Sequence, residues 1–288
     1  MFACTLFGMD RQVYYRRIKR RIIKQDKAQL VVKMVLEIRT QMPRIGAKKL
    51  YYLLGNNLKT LKIGRDKFID ILRANHLLIS AKRSYHITTN SHHRFRKHKN
   101  QLLDLQINKP EQVWVSDITY IGKRDKPCYL SLITDAYSKK IVGYNVSDNL
   151  NTESSLVALR LAIKQRKNKQ MPLIHHSDRG LQYCSNDYQK ILNKNDIQPS
   201  MTQNSDPYEN AVAERINGIL KQEFFIDKYN KDLPIMKQII KETVNIYNEN
   251  RPHLSNHMLT PNQMHEQNKI LMKTYKTKNS TKNVFDAV

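Results

Sequence analysis

Apolar and polar residues are spaced in two different textures along this chain, and the change falls near Pro110. Residues 11–40, RQVYYRRIKRRIIKQDKAQLVVKMVLEIRT, predict one long basic helix that Pro43 stops. The next run, RIGAKKLYYLLGNNL, predicts an amphipathic helix with Leu50, Leu53 and Leu54 inward, ended by Gly55-Asn56-Asn57. A further helix is expected in GRDKFIDILRANHLL, where Phe68, Ile71 and Leu72 fall at core spacing. Two short helices joined by a turn, with Arg65 and Lys67 leading the second, have the form of a helix-turn-helix. Any small helical hairpin shares that form. Residues 82–100 carry charge without periodicity and read as a linker able to lie along a phosphate backbone.

Beyond Pro110, QVWVSDITYI is rich in β-branched and aromatic residues and predicts a strand, followed by a turn from Gly122 to Lys126. CYLSLITDAYS and KIVGYNVSD continue as a meander. TESSLVALRLAIKQRK then reads as a helix capped by Asn151 or Thr152, with Leu156, Leu159 and Ile163 spaced for burial. MPLIHHSD is a short buried-type strand, NDYQKILNKN a helix, IQPSM a last strand, and a helix follows from Asp206. Three strands, helix, strand, helix, strand, helix is the order of a mixed α/β sheet that starts as a meander and continues by crossovers. The expected organisation is a basic N-terminal helix (1–42), a helix-turn-helix-like domain (43–81), a basic linker (82–110), an α/β core (111–226) and a helical C-terminal extension (227–288).

Charge sharpens this division. Fifty Lys and Arg against 25 Asp and Glu leave a formal +25. Residues 1–110 hold 25 cations and 6 acids, a net of +19, so residues 111–288 hold 25 and 19, a net of +6. A basic arm on a nearly balanced body suits a protein that holds a polyanion with one part and acts with another. A protein that only neutralises phosphate would share the total. Cys4, Cys128 and Cys184 are scattered without Cys-x-x-Cys spacing, which excludes a disulfide framework or a thiolate zinc site. No apolar run reaches the length of a membrane span, and MFACTLFGM lacks the cationic start of a secretory leader. The expectation is a soluble intracellular protein on nucleic acid.

Four groups resist explanation as packing. In NSDPYENAVAERINGILKQE, Asp206 can cap a helix, Pro207 fits its first position and Glu209 stands three residues on, while Ala211, Val212, Ile216, Ile219 and Leu220 offer a core face. Glu214 and Lys221, seven residues apart, project from one side, about 10 Å apart along the axis. Asn210 and Asn217 lie beside and between them. Asp117 sits inside an apolar strand that should avoid a charge, and Asp178 closes a strand where α/β sheets expose their site residues. Singly, the acids read as an edge-strand carboxylate, a turn-former and a solvated helix face. Jointly, they fall at equivalent points of the sheet order.

The residues Trp114-x-x-Asp117-Ile118-Thr119-Tyr120, His176-Ser177-Asp178-Arg179-Gly180-x-Gln182-Tyr183 and Asp206-Pro207-Tyr208-Glu209-Asn210-Ala211-x-Ala213-Glu214, with Lys221 seven positions on, carry a resemblance. So do the 35 residues between Asp178 and Glu214, and downstream Tyr247-Asn248, Arg251-Pro252-His253 and Thr260-Pro261. The chain resembles the DDE transposases and retroviral integrases, and within them the second reading-frame product of insertion sequences of the IS-three family. The resemblance spans nearly the whole chain. It implies a ribonuclease H-like mixed-sheet catalytic core preceded by a helical, helix-turn-helix-like arm. It also implies metal-dependent cleavage of DNA 3′ ends and their transfer to another strand, by in-line attack of water or a DNA 3′-hydroxyl on phosphorus.

By the same resemblance, Asp117 bridges two Mg²⁺ ions, with Mn²⁺ as an alternative; Asp178 holds one and Glu214 the other. Hard divalent cations about 3.5–4 Å apart take carboxylate oxygens and relieve charge on both the entering and the leaving oxygen. Lys221 would meet a DNA phosphate, with Arg179 and Asn210 near the site, Arg65 and Lys67 as DNA contacts on the arm, and His176 and Gln182 as supports. Implied partners are double-stranded DNA (element ends and target), further copies of the chain on DNA, and an upstream-frame product that supplies what this chain lacks, a sustained heptad repeat. The implied location is the bacterial cytoplasm, on the nucleoid. Two competing readings are a non-catalytic DNA-binding protein derived from a transposase and a ribonuclease H-type nuclease; the intact acids weigh against the first and the basic arm against the second.

Overall fold

The computed structural model describes residues 6, 8, 10–80, 98–102, 105–122, 127–203, 210–229 and 231–266, and the chain divides into two compact units, residues 1–81 and 82–288. In the first unit, α1 (Arg11–Gln41) opens at Asp10, whose carboxylate accepts the Gln12 N–H at 2.6 Å. Of its residues only Val31 and Val35 are buried. Three short helices follow: α2 (Ala47–Leu53), α3 (Gly55–Thr60) and α4 (Arg65–Ala74). Here the sequence reading needs correction. Helix α2 does stop ahead of Gly55-Asn56-Asn57, with Leu54 as its C-cap, but the same residues open α3, because Leu50, Leu54 and Leu58 continue the four-residue spacing and are all buried, with backbone bonds from Leu54 N to Leu50 O and from Leu58 N to Leu54 O. Leu53, expected inward, is exposed. Phe68 and Leu72 fill the core of this unit, and Lys27 and Arg39 tie α1 to the Leu61 and Leu77 carbonyls.

The second unit is built on one five-stranded sheet: β1 (Val113–Ile121), β2 (Cys128–Asp135), β3 (Ile141–Ser147), β4 (Leu173–Ser177) and β5 (Ile197–Met201), in the order β3-β2-β1-β4-β5. The β1–β2 and β2–β3 pairs are antiparallel, as the predicted meander requires; β1–β4 and β4–β5 are parallel. The parallel pairs need crossovers, which α5 (Thr152–Gln165), the short α6 (Leu181–Cys184) and α7 (Asn186–Lys194) supply. The expected side-chain cap on α5 is absent, since neither Asn151 nor Thr152 bonds its first turn through a side chain. Gly143 permits α5 to lie close on β3: a Cβ there would stand 2.2 Å from the Ala158 carbonyl oxygen. Of the expected turn over 122–126, Gly122 is described, with φ of 81°; residues 123–126 lie outside the described residues.

Strand alternation gives the sheet two buried faces. One, with Trp114, Ile133, Val142, Leu159, Leu173, Tyr188 and Leu192, packs under α5 and α7. The other gathers Val113 and Val115 with Ala136 and with Ala213 of α8 (Ala211–Glu223). The chain read as linker differs from expectation in its described final part. Leu102, Leu105 and Ile107 pack on this second face, and Gln101 N donates to Ser200 Oγ at 3.0 Å beside β5. The residues expected to start α8, Asp206, Pro207 and Glu209, lie outside the described residues.

The C-terminal segment is fastened to the sheet. In α9 (Leu233–Glu249) the Asn248 amide brackets Ile141, accepting its N–H and donating to its carbonyl, both at 3.0 Å, and Tyr247 donates to the Lys139 carbonyl at 2.8 Å. Just past α9, the buried Arg251 guanidinium makes two 2.8 Å bonds to Glu223 at the end of α8. A last helix, α10 (Pro261–His265), is started by a Thr260/Gln263 capping box. It brings His265 to Ser138 at 3.0 Å and between the buried carboxylates of Glu111 and Asp135. Cys128 and Cys184 are buried free thiols. Among the described residues no helix is long and apolar enough to cross a membrane.

Candidate active site

Register and alternation bring two of the acids together. Val113 pairs with Ile174 and Val115 with His176 across the parallel β1–β4 ladder. One alternation further on each chain stand Asp117 and Asp178, on the face that α8 covers. From α8 the residues Glu214, Asn217 and Lys221, three and four apart, form a single stripe. Asn217 is buried and donates Nδ2 to Asp117 Oδ2 at 2.7 Å, while Asp117 Oδ1 accepts the Ile118 N–H at 2.9 Å. Asp178 forms the turn its sequence permits, its Oδ1 accepting the Gly180 N–H at 3.0 Å. A Cβ at position 180 would come within 3.0 Å of that same oxygen, so glycine leaves the carboxylate open on this side.

The electrostatics follow from this placement. Burial pushes the Asp117 carboxyl up to about 7; the charge of Asp178 adds to the rise and that of Glu214 adds least, while the bonds from Asn217 and Ile118 oppose it. Burial also raises Glu214, though its side chain is exposed. Lys221 is half-buried; burial lowers its pKa, and the charges of Asp117 and Asp227 pull it back. On the opposite face of β1, Ser116 Oγ and Tyr188 OH both meet His175 Nε2, at 2.7 and 2.9 Å. Burial, with His176 beside it, drives His175 down to about 3, so this network is neutral. It braces the strand without offsetting the charge of Asp117. Among the described residues no three carboxylate, imidazole or thiol groups make a ready-formed metal cluster. Of the two neighbouring acids, Asp178 raises Asp117 more than Glu214 does.

The remaining residues singled out in the sequence occupy distinct places. Asn210, expected near DNA, is instead buried at the head of α8 and donates to the Ser116 carbonyl at 3.0 Å; a side chain spent on the strand backbone is a brace for the site. His176 is fully buried and bonds Ser200 Oγ at 2.9 Å, linking β4 to β5. Gln182 donates to the Leu150 carbonyl at 2.7 Å, holding α6 to the loop before α5. Arg179 is half-buried beside Asp178. Arg65 and Lys67 are exposed on the first turn of α4, in the other unit, and Arg65 pairs with Asp66 at 3.0 Å. Asn217 was not among the residues singled out for the site. Its position three residues after Glu214 was the available signal, because that spacing fixes the shared face.

A five-stranded sheet with three antiparallel and two parallel-added strands, covered by helices on both faces, defines a ribonuclease H-like α/β domain, the architecture of polynucleotidyl transferases. Two family models described as "Integrase core domain" match residues 107–207 and 195–261. The chain is 32% identical over 259 residues to the uncharacterized 31 kDa protein of insertion element IS600 from Shigella sonnei, covering 87% of this chain and 92% of that one. It is 31% identical over 166 residues to transposase InsF of insertion sequence IS3fB from Escherichia coli K12, covering 57% of each. The chain belongs to the IS3-type insertion-sequence transposases of the DDE polynucleotidyl transferase class. Solved structures similar to it include the HTLV-2 integrase catalytic core domain in complex with magnesium (TM-score 0.43, 20% identity, 55% of this chain and 97% of that one). Another is a simian T-cell lymphotropic virus intasome with a PP2A regulatory subunit (TM-score 0.48, 18% identity, 83% and 81%).

Proposed function

We propose that Asp117, Asp178 and Glu214 are the catalytic acids of this transposase, holding divalent cations, Mg²⁺ or Mn²⁺, for cleavage of DNA 3′ ends and their joining to target DNA. The observation that carries the reading is the Asp117 carboxyl, raised to about 7 by burial and by two further acids. Like charges brought together without a compensating cation are costly to an empty site and favourable to one that binds a metal. The donor set is all oxygen, which suits a hard ion. When bound, such ions polarise the phosphodiester and lower the pKa of attacking water.

The protein groups have separable tasks. Asn217 and the Ile118 N–H fix the plane of the Asp117 carboxylate through one bond to each oxygen, leaving the remaining lone pairs for a cation. The Gly180 N–H orients Asp178 in the same way. Asn210 anchors the head of α8 to β1, which sets the depth at which Glu214 faces the pair. Lys221, on the same stripe, is placed to meet a phosphate of the DNA end and to share the negative field of Asp117. Water or a DNA 3′-hydroxyl attacks phosphorus in line, the bond to the leaving oxygen breaks, and no covalent link to the protein forms. The partners in this reading are element ends and target DNA, further copies of the chain on that DNA, and an upstream-frame product. Its place of action is the bacterial cytoplasm, on the nucleoid.

The test is a nicking and joining assay on duplexes carrying the element's own terminal repeats, with Mg²⁺ added. Asp117→Asn, Asp178→Asn and Glu214→Gln should each lose cleavage and joining while retaining DNA affinity. A variant that nicks at the parent rate removes its residue from the catalytic set.

A further inference from the structure

Helix α1 changes character halfway along, although its dihedral repeat does not. At 100° per residue, Val31 and Val35, the two buried residues of its C-terminal half, define one stripe. Following that stripe towards the N-terminus leads to Lys27, Lys24, Arg21, Arg20, Arg17 and Arg16, all within about 80° of it. Of the large apolar residues of the same half, Tyr15, Ile18 and Ile22 lie on the opposite side and Tyr14 and Ile23 on the flanks, and all five are exposed. The stripe that is aliphatic against its own unit thus becomes cationic where α1 runs past that unit. Lys27 marks the junction by donating to the Leu61 carbonyl on the turn ahead of α4. From Arg11 to Lys27 there are eight cations and one acid, Asp26, and every residue from Tyr14 to Asp26 is exposed.

We propose that the cationic stripe from Arg16 to Lys24, facing the same side as the body of the N-terminal unit, is a separate DNA-binding surface that takes the phosphate backbone of duplex DNA in a sequence-independent way. Helix propensity alone does not call for this arrangement. A solvated helix scatters its charges and pairs them with acids three or four residues away; here the stripe carries one sign and runs about 12 Å, enough to follow successive phosphates on one strand. A second copy of the chain would set like charge against like charge along this stripe, so the charge pattern favours a polyanion. Lys62, exposed beside Leu61, extends the positive ledge towards Arg65 and Lys67.

This inference rests on the proposed function only in taking DNA as the partner, and its test is independent of the acids. Binding is measured in the Asp117→Asn background, so that no cleavage intervenes, with a fluorescein-labelled duplex of arbitrary sequence across a salt series. Arg16→Gln, Arg17→Gln, Arg20→Gln and Arg21→Gln combined should weaken binding at least about tenfold at low salt and reduce the slope of log K against log salt by about 2–4. The control pair Ile18→Gln and Ile22→Gln, on the opposite side, should leave both quantities unchanged. Circular dichroism guards against loss of the helix, which glutamine should preserve. An unchanged salt slope in the four-arginine variant overturns the proposal. Weaker binding in the isoleucine control together with a change in oligomeric state also overturns it, in favour of a protein partner on the apolar side. Either result leaves the acid-to-amide cleavage assay, and the function it tests, untouched.

Discussion

Removing the charge of Asp117 should stabilise the metal-free protein. The carboxyl is raised from an ordinary 3.8 to about 7. Three units at about 1.4 kcal/mol each set an upper bound of about 4 kcal/mol on the cost of ionising it in the folded chain. Asp117 is half-buried, so solvent screening reduces this, and an asparagine keeps only one of the two hydrogen-bond acceptors, a loss of about 1 kcal/mol. A net gain of about 1–2 kcal/mol remains for Asp117→Asn near pH 8, or about 3–6 °C in Tm for a unit of this size. The sign follows from proton linkage. A raised carboxyl holds its proton longer in the folded state than in the unfolded one, so stability falls as pH climbs from about 4 to about 7 and is level above. The electrostatic part should therefore shrink to about 40% near pH 5, where the pH-independent loss of about 1 kcal/mol leaves the variant with roughly no net advantage. Thermal unfolding in a chelator at the two pH values is the assay. Equal gains at both, or a loss near pH 8, would refute the electrostatic reading of the site.

Other expectations concern how the site is held. Arg251→Met should leave the half-buried Glu223 without its two guanidinium bonds and cost about 2–4 kcal/mol, measured by urea unfolding; Glu223→Gln with Arg251→Met should recover part of it. Gly143→Ala should reach or exceed the top of the usual ~1–3 kcal/mol overpacking range, because the added methyl meets backbone at Ala158 and no rotamer relieves it; soluble yield and Tm report this. The α10 anchor should depend on pH in both directions. Glu111 is lowered to about 2, since His265 and the Lys167 and Asn168 N–H groups outweigh the opposing effect of burial, so its contribution is lost as pH falls from about 4 towards 2. His265 is raised, because Asp135 and Glu111 outweigh burial, so its contribution is present below about 6.5 and lost as pH rises through the raised value. Hydrogen exchange in residues 261–265 should slow between these limits, and His265→Gln should abolish the alkaline limb.

The sheet was legible because its strands differ in what they bury. β1 is rich in β-branched and aromatic residues, β4 and β5 are short segments with most positions buried, and the helices between them carry three- and four-residue spacing. Asp117 and Asp178 were legible for the opposite reason, as charges where a strand and a strand end should not carry them. What the sequence did not reveal was long-range pairing. Asn210 reads as a residue near the site and DNA, and only the fold shows that its amide is committed to the Ser116 carbonyl. Asn217 lay on the Glu214–Lys221 stripe, but its bond to Asp117 joins residues a hundred positions apart. The same limit applies to Gly55-Asn56-Asn57, where local turn chemistry marks the end of α2 but does not show that buried Leu58 holds a further helix, α3, directly after it.

The central claim is that Asp178 and its partner acids hold a divalent cation that the cleavage reaction requires, and ligand softness tests it most directly. Asp178→Cys replaces an oxygen ligand by sulfur, which Mg²⁺ binds poorly and Mn²⁺ accepts more readily. On terminal-repeat duplexes the variant should be inactive with Mg²⁺ and regain measurable nicking with Mn²⁺, while Asp178→Ala regains none. Equal activity of the cysteine variant in the two metals, or equal recovery by the alanine variant, would contradict a metal contact at Asp178.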